Sequence, residues 1–322
     1  MNAAPFSRAL VLTAGLGTRL RPLTLVRAKA AVPVDGEPLA RRVIRWLTDQ
    51  GITDLVLNLH HQPDSITAVV GDGTDLGARV RYSWESPVLG SAGGPRRALP
   101  LLREGSVSDP TLLLVNGDTL TGVNLSALAE HHTRSGALVT MALIPNPWPD
   151  KYGGVLLDAD GTVTGFTRRG STVPSFHFIG IQAAQASAFE SLPDGVPVEA
   201  VLELYPRLMA ERRGAVTGFV SDATFQDIGT PADLLRTSLE LAAADGRPGR
   251  PRWGRGVVVA PSASVERSLL WDDVVVEAGA RVSECVVADG VRIPAGATFT
   301  RRAIVRTDPG VLVTAEMGTV TF

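Results

Sequence analysis

The sequence predicts an α/β domain with a mostly parallel sheet, followed by a short three-sided β-helix. Strand-like and helix-like patterns alternate from residue 9 to residue 240, the composition changes abruptly at 245–256, and a gapless repeat begins at 257. A chain of 322 residues has room for two domains. We therefore expect a first domain at 1–244, a linker at 245–256 and a β-helix at 257–322.

Apolar runs and amphipathic segments take turns along the first domain. The runs predict strands at 9–13, 55–59, 80–84, 111–115 and 137–144. Apolar residues spaced by three or four predict helices at 39–50, 66–70 and 125–134. This β-α-β-α order is typical of a parallel sheet with helices on both faces. Ligands of such sheets bind beyond the carboxyl ends of the strands, where Gly15-Leu16-Gly17 follows the first strand.

The segment between the two domains is rich in glycine, proline and arginine and has no periodicity. It reads GRPGRPRWGRG and ends at Gly256. Such a composition is typical of a linker. Its four arginines also fit a nucleic-acid patch, but we favour a solvated linker.

Beyond the linker, the sequence repeats itself every 17 residues. Residues 265–281 align without gaps on 282–298, so Val265 meets Val282 and Asp272 meets Asp289. A fixed period of this kind indicates a solenoid, in which each turn buries its apolar face against its neighbours. Apolar residues five or six positions apart within a turn fit a three-sided β-helix with small residues at its corners.

Composition excludes several classes of protein. There are 31 basic and 33 acidic residues, so the net charge of −2 argues against a nucleic-acid partner. No apolar run reaches the roughly 18 residues of a membrane helix, and we expect no membrane partner and a cytoplasmic location. Cys285, the one cysteine, falls in an apolar repeat and is predicted to lie in the core. The pairs His60-His61 and His131-His132 are interpreted as surface residues.

The stretch LVLTAGLGTRLRPLTLVRAKAAVPV, from Leu10 to Val34, carries the strongest functional signal. Gly15 and Gly17 permit close approach of a ligand to the backbone, and Arg19 and Lys29 add positive charge. The combination favours a triphosphate, although a surface loop with solvated charges has the same composition.

Two aspartates follow other strand ends. Asp118 comes after the strand at 111–115, and Asp227 precedes a Gly-Thr-Pro that opens a helix. Together they could hold one Mg²⁺, which prefers few carboxylates plus phosphate oxygens. Either aspartate could equally be a turn or cap residue.

The chain resembles the sugar-1-phosphate nucleotidylyltransferases over residues 8–240. The resemblance rests on five motifs: Gly15-Leu16-Gly17-Thr18-Arg19, Pro22-Leu23-Thr24 with Lys29 and Pro33-Val34, Leu89-Gly90-Ser91-Ala92-Gly93-Gly94, Asn116-Gly117-Asp118, and Asp227-Ile228-Gly229-Thr230-Pro231. It implies a Rossmann-like nucleotidyltransferase domain. The β-helix resembles the left-handed one of many members, including mannose-1-phosphate guanylyltransferases, and we expect it to assemble a homo-oligomer.

The resemblance also implies a reaction and a set of roles. A sugar 1-phosphate attacks the α-phosphorus of a nucleoside triphosphate, and pyrophosphate leaves. Arg19 and Lys29 would be catalytic, Asp118 and Asp227 would bind Mg²⁺, and Gly153, Arg169 and Glu199 would bind the sugar phosphate. The nucleotide would contact Leu12, Ala14, Gly15, Gly17, Thr18, Glu85, Gly90 and Ser91.

Three departures from the family pattern bear on the substrate. Arg168-Arg169 stands where Glu-Lys is usual, Ala28 where proline precedes the lysine, and His177 where asparagine is common. Arg169 can replace the lysine as a phosphate ligand. Glu85 offers only acceptors, which favours guanine.

Other functions stay open. A non-catalytic subunit that senses a sugar nucleotide is one, and uridylyl or thymidylyl transfer is another. Transfer to phosphocholine from CTP is a third. An acetyltransferase is disfavoured because no histidine lies in the β-helix.

Overall fold

The computed structural model describes residues 4–105, 110–307 and 311–318. The chain divides into two units. The first contains the residues up to Gly15, Val43–His61 and Val70–Gln226. The second contains Leu16–Arg42, Gln62–Val69 and the described residues from Asp227 onward. The predicted boundaries at 244 and 256 therefore remain predictions, since the units group residues from distant parts of the sequence.

The strands and helices ahead of the repeat follow the predicted order. The strands are β1 Ala9–Leu12, β2 Pro33–Val34, β3 Glu37–Pro38, β4 Asp54–Leu59, β5 Arg79–Trp84, β6 Thr111–Asn116, β7 Thr119–Thr121, β8 Val139–Pro145, β9 Gly154–Leu157, β10 Val163–Thr167, β11 Phe176–Gln185, β12 Val216–Val220 and β13 Phe225–Asp227. The helices are α1 Leu39–Asp49, α2 Pro63–Val70, α3 Gly90–Arg103, α4 Leu125–Ser135, α5 Tyr205–Glu211 and α6 Pro231–Ala244. Within the described part of the chain, no helix has both the length and the apolar character needed to cross a bilayer.

A nine-stranded sheet forms the centre of the first unit. Its main path runs β10-β9-β11-β6-β1-β4-β5, with β8 paired to β11 and β12 paired to β8. β5, β4, β1 and β6 are parallel to one another, as predicted. β11 reverses direction and pairs antiparallel with both β6 and β8. The carboxyl ends of the parallel strands therefore meet at one edge.

The first unit buries an apolar core on the sheet. Leu10, Val56 and Leu114 come from neighbouring parallel strands and are at most 1% exposed. They join the apolar face of α3 and the side chains of Phe189 and Tyr205 in one cluster. Burial of this kind is the main driving force for folding and makes the strand ends a rigid platform.

The second unit opens with an irregular segment that contains three short turns. These turns are Thr18–Leu20, Leu23–Leu25 and Lys29–Ala31. Next comes a tight hairpin of β2 and β3, whose connecting residue Asp35 is 1% exposed. Asp35 accepts hydrogen bonds from the Arg252 backbone at 2.7 Å and from the Arg247 side chain at 2.6 Å. The segment at 245–256 has no helix or strand, yet two of its arginines pair with one buried carboxylate instead of being solvated as expected.

The solenoid, residues 257–318, has three parallel sheets as the repeat predicts. Its strands are β14 Val258–Val259, β15 Ser264–Glu266, β16 Leu269–Leu270, β17 Val275–Val276, β18 Arg281–Ser283, β19 Val286–Val287, β20 Arg292–Ile293, β21 Thr298–Thr300, β22 Arg302–Thr307 and β23 Val311–Glu316. Val265 pairs with Val282 and Val282 with Phe299, which confirms the 17-residue register. Cys285 is fully buried among the inward-facing residues, as predicted. β23 then pairs antiparallel with β22.

One corner of the solenoid differs from the expected small residues. Arg267, Glu284 and Arg301 stand 17 residues apart, and each has a φ of 47–51°. This left-handed conformation normally favours glycine. The glycines Gly279 and Gly296 occupy another corner with φ values of 70° and 69°. The repeated turn therefore imposes the backbone conformation on whichever residue lies at the corner.

The interpretation of His132 as a surface residue is wrong. Its ring is 2% exposed, and its Nδ1 lies 2.8 Å from the Thr140 hydroxyl. That hydroxyl lies 3.0 Å from the Thr217 hydroxyl on the adjacent strand. Burial, with a smaller effect from His131, lowers the pKa of His132 to about 4.

This pKa predicts a loss of stability in mild acid. Below pH 6.5 the unfolded chain binds a proton at His132 that the folded chain refuses, so the free energy of unfolding falls as pH falls towards 4. The contribution of this one group between pH 7 and pH 5 is about 2 kcal/mol. Urea unfolding of the wild type and of His132→Gln at both pH values measures it. The variant should show the shallower pH dependence, and equal slopes would contradict the assignment.

Candidate functional site

A buried polar relay joins the ends of three parallel strands. The Asn58 side chain, near the end of β4, accepts a hydrogen bond from the Thr13 backbone at 2.6 Å and from Ala14 at 3.3 Å. Its amide group donates to Glu85 at 2.6 Å. The second oxygen of Glu85 accepts from the Leu89 backbone at 2.9 Å. The backbone directly before Gly15 is thereby tied to the segment that begins α3.

The expected contact between Glu85 and a base does not fit this geometry. The side chain is 1% exposed, and both carboxylate oxygens already accept hydrogen bonds within the protein. A Cβ on Gly94 would lie 2.5 Å from Glu85 Oε1, so the helix must carry glycine there. Glu85 therefore positions the strand ends, and its contact with a base stays a prediction.

The first turn of α3 brings together Ser91, which is predicted to contact the nucleotide, and Glu199, which is predicted to contact the sugar phosphate. The Ser91 hydroxyl donates to Glu199 at 2.6 Å and accepts from the Ala200 backbone at 2.8 Å. A Cβ on Gly90 would lie 2.7 Å from the Val198 carbonyl and 2.8 Å from Glu199 Oε1. The predicted base contact and the predicted sugar contact are therefore adjacent at one helix N-terminus.

Gly15 lies in open space at the end of β1. It is exposed, and a Cβ built on it would meet no atom of the described residues within 4 Å. Ala14, just before it, is 3% exposed. Leu12 uses its carbonyl to accept a hydrogen bond from Gly117 at 3.0 Å, which places Asp118 beside the end of β1. Gly15 and Asp118 thus share the carboxyl edge of the sheet, as predicted.

The predicted sugar-phosphate residues Gly153 and Arg169 are neighbours in the first unit. A Cβ on Gly153 would lie 2.6 Å from the Thr167 carbonyl and 3.8 Å from the Arg169 backbone nitrogen. Arg169 is exposed. His177 is 7% exposed and lies between two aromatic rings. Its ring is tilted against Tyr152, at 4.3 Å between centroids, and meets Phe225 edge-on, at 4.6 Å.

His177 has an unusual environment for a polar side chain. Neither ring nitrogen has a hydrogen-bond partner among the described residues. Burial, with a smaller effect from Lys151, lowers the pKa of the imidazole to about 4. The ring is therefore neutral at physiological pH and carries one donor and one acceptor.

In the second unit, the glycine loop, residues 16–34, is held by its own side chains. Gly17 has φ 59° and ψ 35°, and a Cβ there would lie 2.7 Å from the Thr24 methyl. The Thr24 hydroxyl donates to the Gly17 carbonyl at 3.0 Å. Thr18 follows in the first short turn and is exposed. The loop is thus a fixed structure with an exposed rim.

The same unit pairs two of the predicted site residues. Arg19 Nη1 lies 3.8 Å from Asp227 Oδ2. The arginine side chain is 59% exposed, whereas Asp227 is 7% exposed. A Cβ on Gly229 would lie 2.9 Å from Arg19 Nη1, so this glycine leaves space for the guanidinium. Lys29 lies on the third short turn, half-buried, with its Cβ 3.2 Å from the Cβ position of Gly17.

Comparison with known proteins agrees with the fold and with these motifs. Residues 8–244 match the family model described as nucleotidyl transferase, and residues 253–319 match the model described as GlmU-like, C-terminal hexapeptide. Because the first match covers most of the chain, the chain belongs to the nucleotidyl transferase family and is a nucleotidyltransferase. The second match identifies the solenoid as a left-handed β-helix of the hexapeptide type. Enzymes of this family generally depend on a metal ion.

Several named proteins are similar to the chain. Mannose-1-phosphate guanylyltransferase of Mycobacterium tuberculosis is 30% identical over 302 residues, which are 91% of this chain and 83% of the relative. D-glycero-alpha-D-manno-heptose 1-phosphate guanylyltransferase of Aneurinibacillus thermoaerophilus is 30% identical over 72% of this chain and 97% of its own length. The structure of HddC from Yersinia pseudotuberculosis complexed with GMP-PN superposes with a TM-score of 0.63 at 22% identity, covering 73% and 99% of the two chains. That likeness supports the fold of the first domain.

Some residues of the site were not found from the sequence. The sequence predicts Asn58 only as part of the apolar strand at 55–59, although a lone amide in the run LVLNL is itself a signal of an internal partner. His177 was noted as a departure from the family, but its burial between two aromatic rings was not foreseen.

The two glycines at the end of β1 should respond differently to alanine. The methyl of Gly15→Ala meets no atom of the described residues within 4 Å and the backbone has no unfavourable φ. We therefore expect an unchanged thermal midpoint and a KM for the nucleotide raised about tenfold by the added methyl. Gly17→Ala meets Thr24 and a left-handed φ, and should lower the free energy of unfolding by about 1–2 kcal/mol. Steady-state kinetics and urea unfolding of both variants test this pair. A destabilised Gly15→Ala or a neutral Gly17→Ala would contradict it.

Proposed function

We propose that the chain transfers a guanylyl group from GTP to mannose 1-phosphate or a closely related hexose 1-phosphate, and releases pyrophosphate. The observation that carries the reaction class is the geometry after β1, where an open Gly15 is followed by a folded loop with Arg19 and Lys29. The choice of GTP and mannose rests on the relatives, since two guanylyltransferases match at 30% identity over 91% and 72% of the chain.

The reaction needs positioning and charge neutralisation more than it needs a protein nucleophile. The sugar phosphate is already anionic, and one of its oxygens forms the new bond to the α-phosphorus while the bond to pyrophosphate breaks. Arg19, with most of its side chain exposed, would hold the leaving pyrophosphate. Lys29 would neutralise the α-phosphate, and the backbone at Gly15 would approach the phosphates without steric hindrance.

Asp118 and Asp227 are the residues that would hold Mg²⁺. Carboxylate oxygens are hard ligands, and Mg²⁺ in nucleotide sites binds one or two of them together with phosphate oxygens. Asp227 fits this role because it is nearly buried and lies 3.8 Å from Arg19, the arginine that would hold the pyrophosphate. The ion, when bound, would stabilise negative charge on the phosphates.

On the sugar side, Arg169 is exposed and its backbone lies beside Gly153. Its guanidinium offers a bidentate fork to phosphate. Glu199 would accept hydrogen bonds from the hydroxyl groups of the sugar, and the hydrogen bond from Ser91 holds the orientation of its side chain. His177, being neutral, supplies one donor and one acceptor where the family usually has an asparagine. A cytoplasmic location and a homo-oligomer assembled through the solenoid remain predictions.

The function is tested by pyrophosphate release in a grid of substrates with Mg²⁺. The nucleotides are GTP, UTP, dTTP, CTP and ATP, and the acceptors are mannose, glucose and N-acetylglucosamine 1-phosphates and phosphocholine. We expect GTP with mannose 1-phosphate to exceed every other pair by at least about tenfold. A maximum with UTP and glucose 1-phosphate would favour uridylyl transfer, the activity named for a Synechocystis relative at 24% identity over 89% of the chain. A blank grid with folded protein would favour the sensor subunit.

Removal of either proposed metal ligand should abolish most of the turnover. Asp118→Asn and Asp227→Asn each keep size and lose charge, and we expect kcat to fall about a hundredfold or more with little change in the thermal midpoint. Asp160→Asn is the matched control, because the Asp160 side chain is 81% exposed and forms an ion pair with Arg213 at 3.5 Å. Rates within about twofold of wild type in either variant would remove that aspartate from the proposed site.

A further inference from the structure

Arg27 fastens the middle of the glycine loop to the solenoid. It lies between the second and third short turns, two residues before Lys29. Its guanidinium donates to Asp289 twice, from Nε at 2.7 Å and from Nη2 at 2.6 Å. Nη2 also donates to Asp272 at 2.9 Å. The Trp271 ring centre lies 5.5 Å from the guanidinium carbon.

The two carboxylates are held in place by the solenoid itself. Asp272 and Asp289 stand 17 residues apart, at the same position of successive turns. Asp289 accepts from the Asp272 backbone at 3.1 Å, and Asp272 accepts from the Arg255 backbone at 2.8 Å. This aspartate ladder, Asp272 and Asp289, therefore faces Arg27 without needing it for its own geometry.

The ion pair is more buried than an ordinary surface contact. The Arg27 side chain is 16% exposed and both carboxylates are about one quarter exposed. Burial opposes the charge on Arg27, but the hydrogen bonds and charges of Asp289 and Asp272 outweigh it and raise the pKa. Burial would likewise raise the pKa of Asp272, but the bonds from Arg255 and Arg27 outweigh it and lower the pKa. A bidentate arginine–carboxylate pair also fixes the orientation of the guanidinium, whereas a lysine ammonium would act only as a point charge.

Arg27 is close enough to Lys29 in the chain for its ion pair to affect the position of Lys29. Two residues span at most about 7 Å of chain, so a shift of Arg27 moves the turn that carries Lys29. The next residue, Ala28, is held by α2, because its backbone donates to the Ser65 hydroxyl at 2.9 Å. The turn before Arg27, Leu23–Leu25, also contacts β22. The loop is thus supported from the solenoid at consecutive points.

We propose that Arg27 is a positioning residue for nucleotidyl transfer, through which the aspartate ladder holds the glycine loop in its phosphate-binding conformation. The inference rests on the proposed function of Lys29 and deepens it. The solenoid is then a structural part of the nucleotide site and has a role beyond assembly.

The test combines kinetics with hydrogen exchange. Arg27→Gln and Asp289→Asn should each raise the KM for GTP about tenfold and also lower kcat. The KM for the sugar phosphate should change less. Arg27→Lys keeps the charge but not the fork and should fall between them and the wild type. The double variant Arg27→Gln/Asp289→Asn should be no worse than Arg27→Gln alone, because the arginine substitution already removes the contact with Asp289. Amide exchange should accelerate in peptides covering residues 16–34 and stay unchanged in peptides covering 281–300.

Glu277→Gln is the matched control. It removes a solenoid carboxylate that accepts hydrogen bonds from Arg292 at 2.7 Å and from the Ala295 backbone at 3.0 Å, both within the solenoid. It should leave both kinetics and loop exchange unchanged.

Each alternative result has a definite meaning. Unchanged kinetics in Arg27→Gln and Asp289→Asn overturn the proposal, whether or not loop exchange accelerates. Equal loss in Glu277→Gln also overturns it, because the effect would then be general to the solenoid. If the wild type releases no pyrophosphate with any substrate pair, the proposed function fails. In that case, faster exchange confined to residues 16–34 would still establish the anchorage on its own.

Discussion

The hydrogen bond between the Asn58 amide and the buried carboxylate of Glu85 is the interaction on which the rest of the first unit's site depends. A carboxylate that is 1% exposed is tolerated only when its oxygens are satisfied, and Asn58 and the Leu89 backbone satisfy one oxygen each. The other end of the amide holds the backbone of Thr13 and Ala14. One polar chain thus sets where β1 ends and where α3 begins. Ligand-facing backbone is rigid here because its support is internal.

The second unit uses buried charge in the same way, but between distant segments. Asp35 forms ion pairs with Arg247 and Arg252, and the aspartate ladder forms ion pairs with Arg27. Each of these contacts ties a residue of the first 40 to one beyond 240. Among the described residues, the only sheet that includes residues of the irregular loop is the short hairpin of β2 and β3. These ion pairs therefore fix the conformation of the loop. Breaking one partner of such a pair leaves an uncompensated charge, which costs more than a surface contact would.

The sequence predicted regular features well because regular features repeat. The 17-residue period determined the solenoid register to the residue, since parallel stacking places equivalent positions beside one another. Apolar runs located β1, β4, β5 and β6 within one or two residues. What it missed depends on partners far away in the chain. His132 was taken for a surface residue because its hydroxyl neighbours, Thr140 and Thr217, come from two later strands.

The site was predictable to a similar, uneven extent. The motif placed Gly15 and Asp118 at one sheet edge, because strand ends in a parallel sheet converge. Residue chemistry alone did not reveal the internal hydrogen bonds of Glu85. An acceptor-only side chain suits guanine, but nothing in the local sequence indicates that Asn58, 27 positions earlier, already uses it. Proximity of Ser91 to Glu199 was equally hidden, since 108 residues separate them.

The left-handed corners at Arg267, Glu284 and Arg301 carry a consequence for how this chain can change in length. Each corner, each ladder carboxylate and each inward-facing apolar residue recurs at the same phase of the turn. An insertion or deletion of a few residues would therefore displace every later position out of phase at once. Loss or gain of 17 residues would preserve the phase and alter only the number of turns. Variation in the length of this module is thus confined to whole turns, added or removed as units, as happens when a repeat is duplicated.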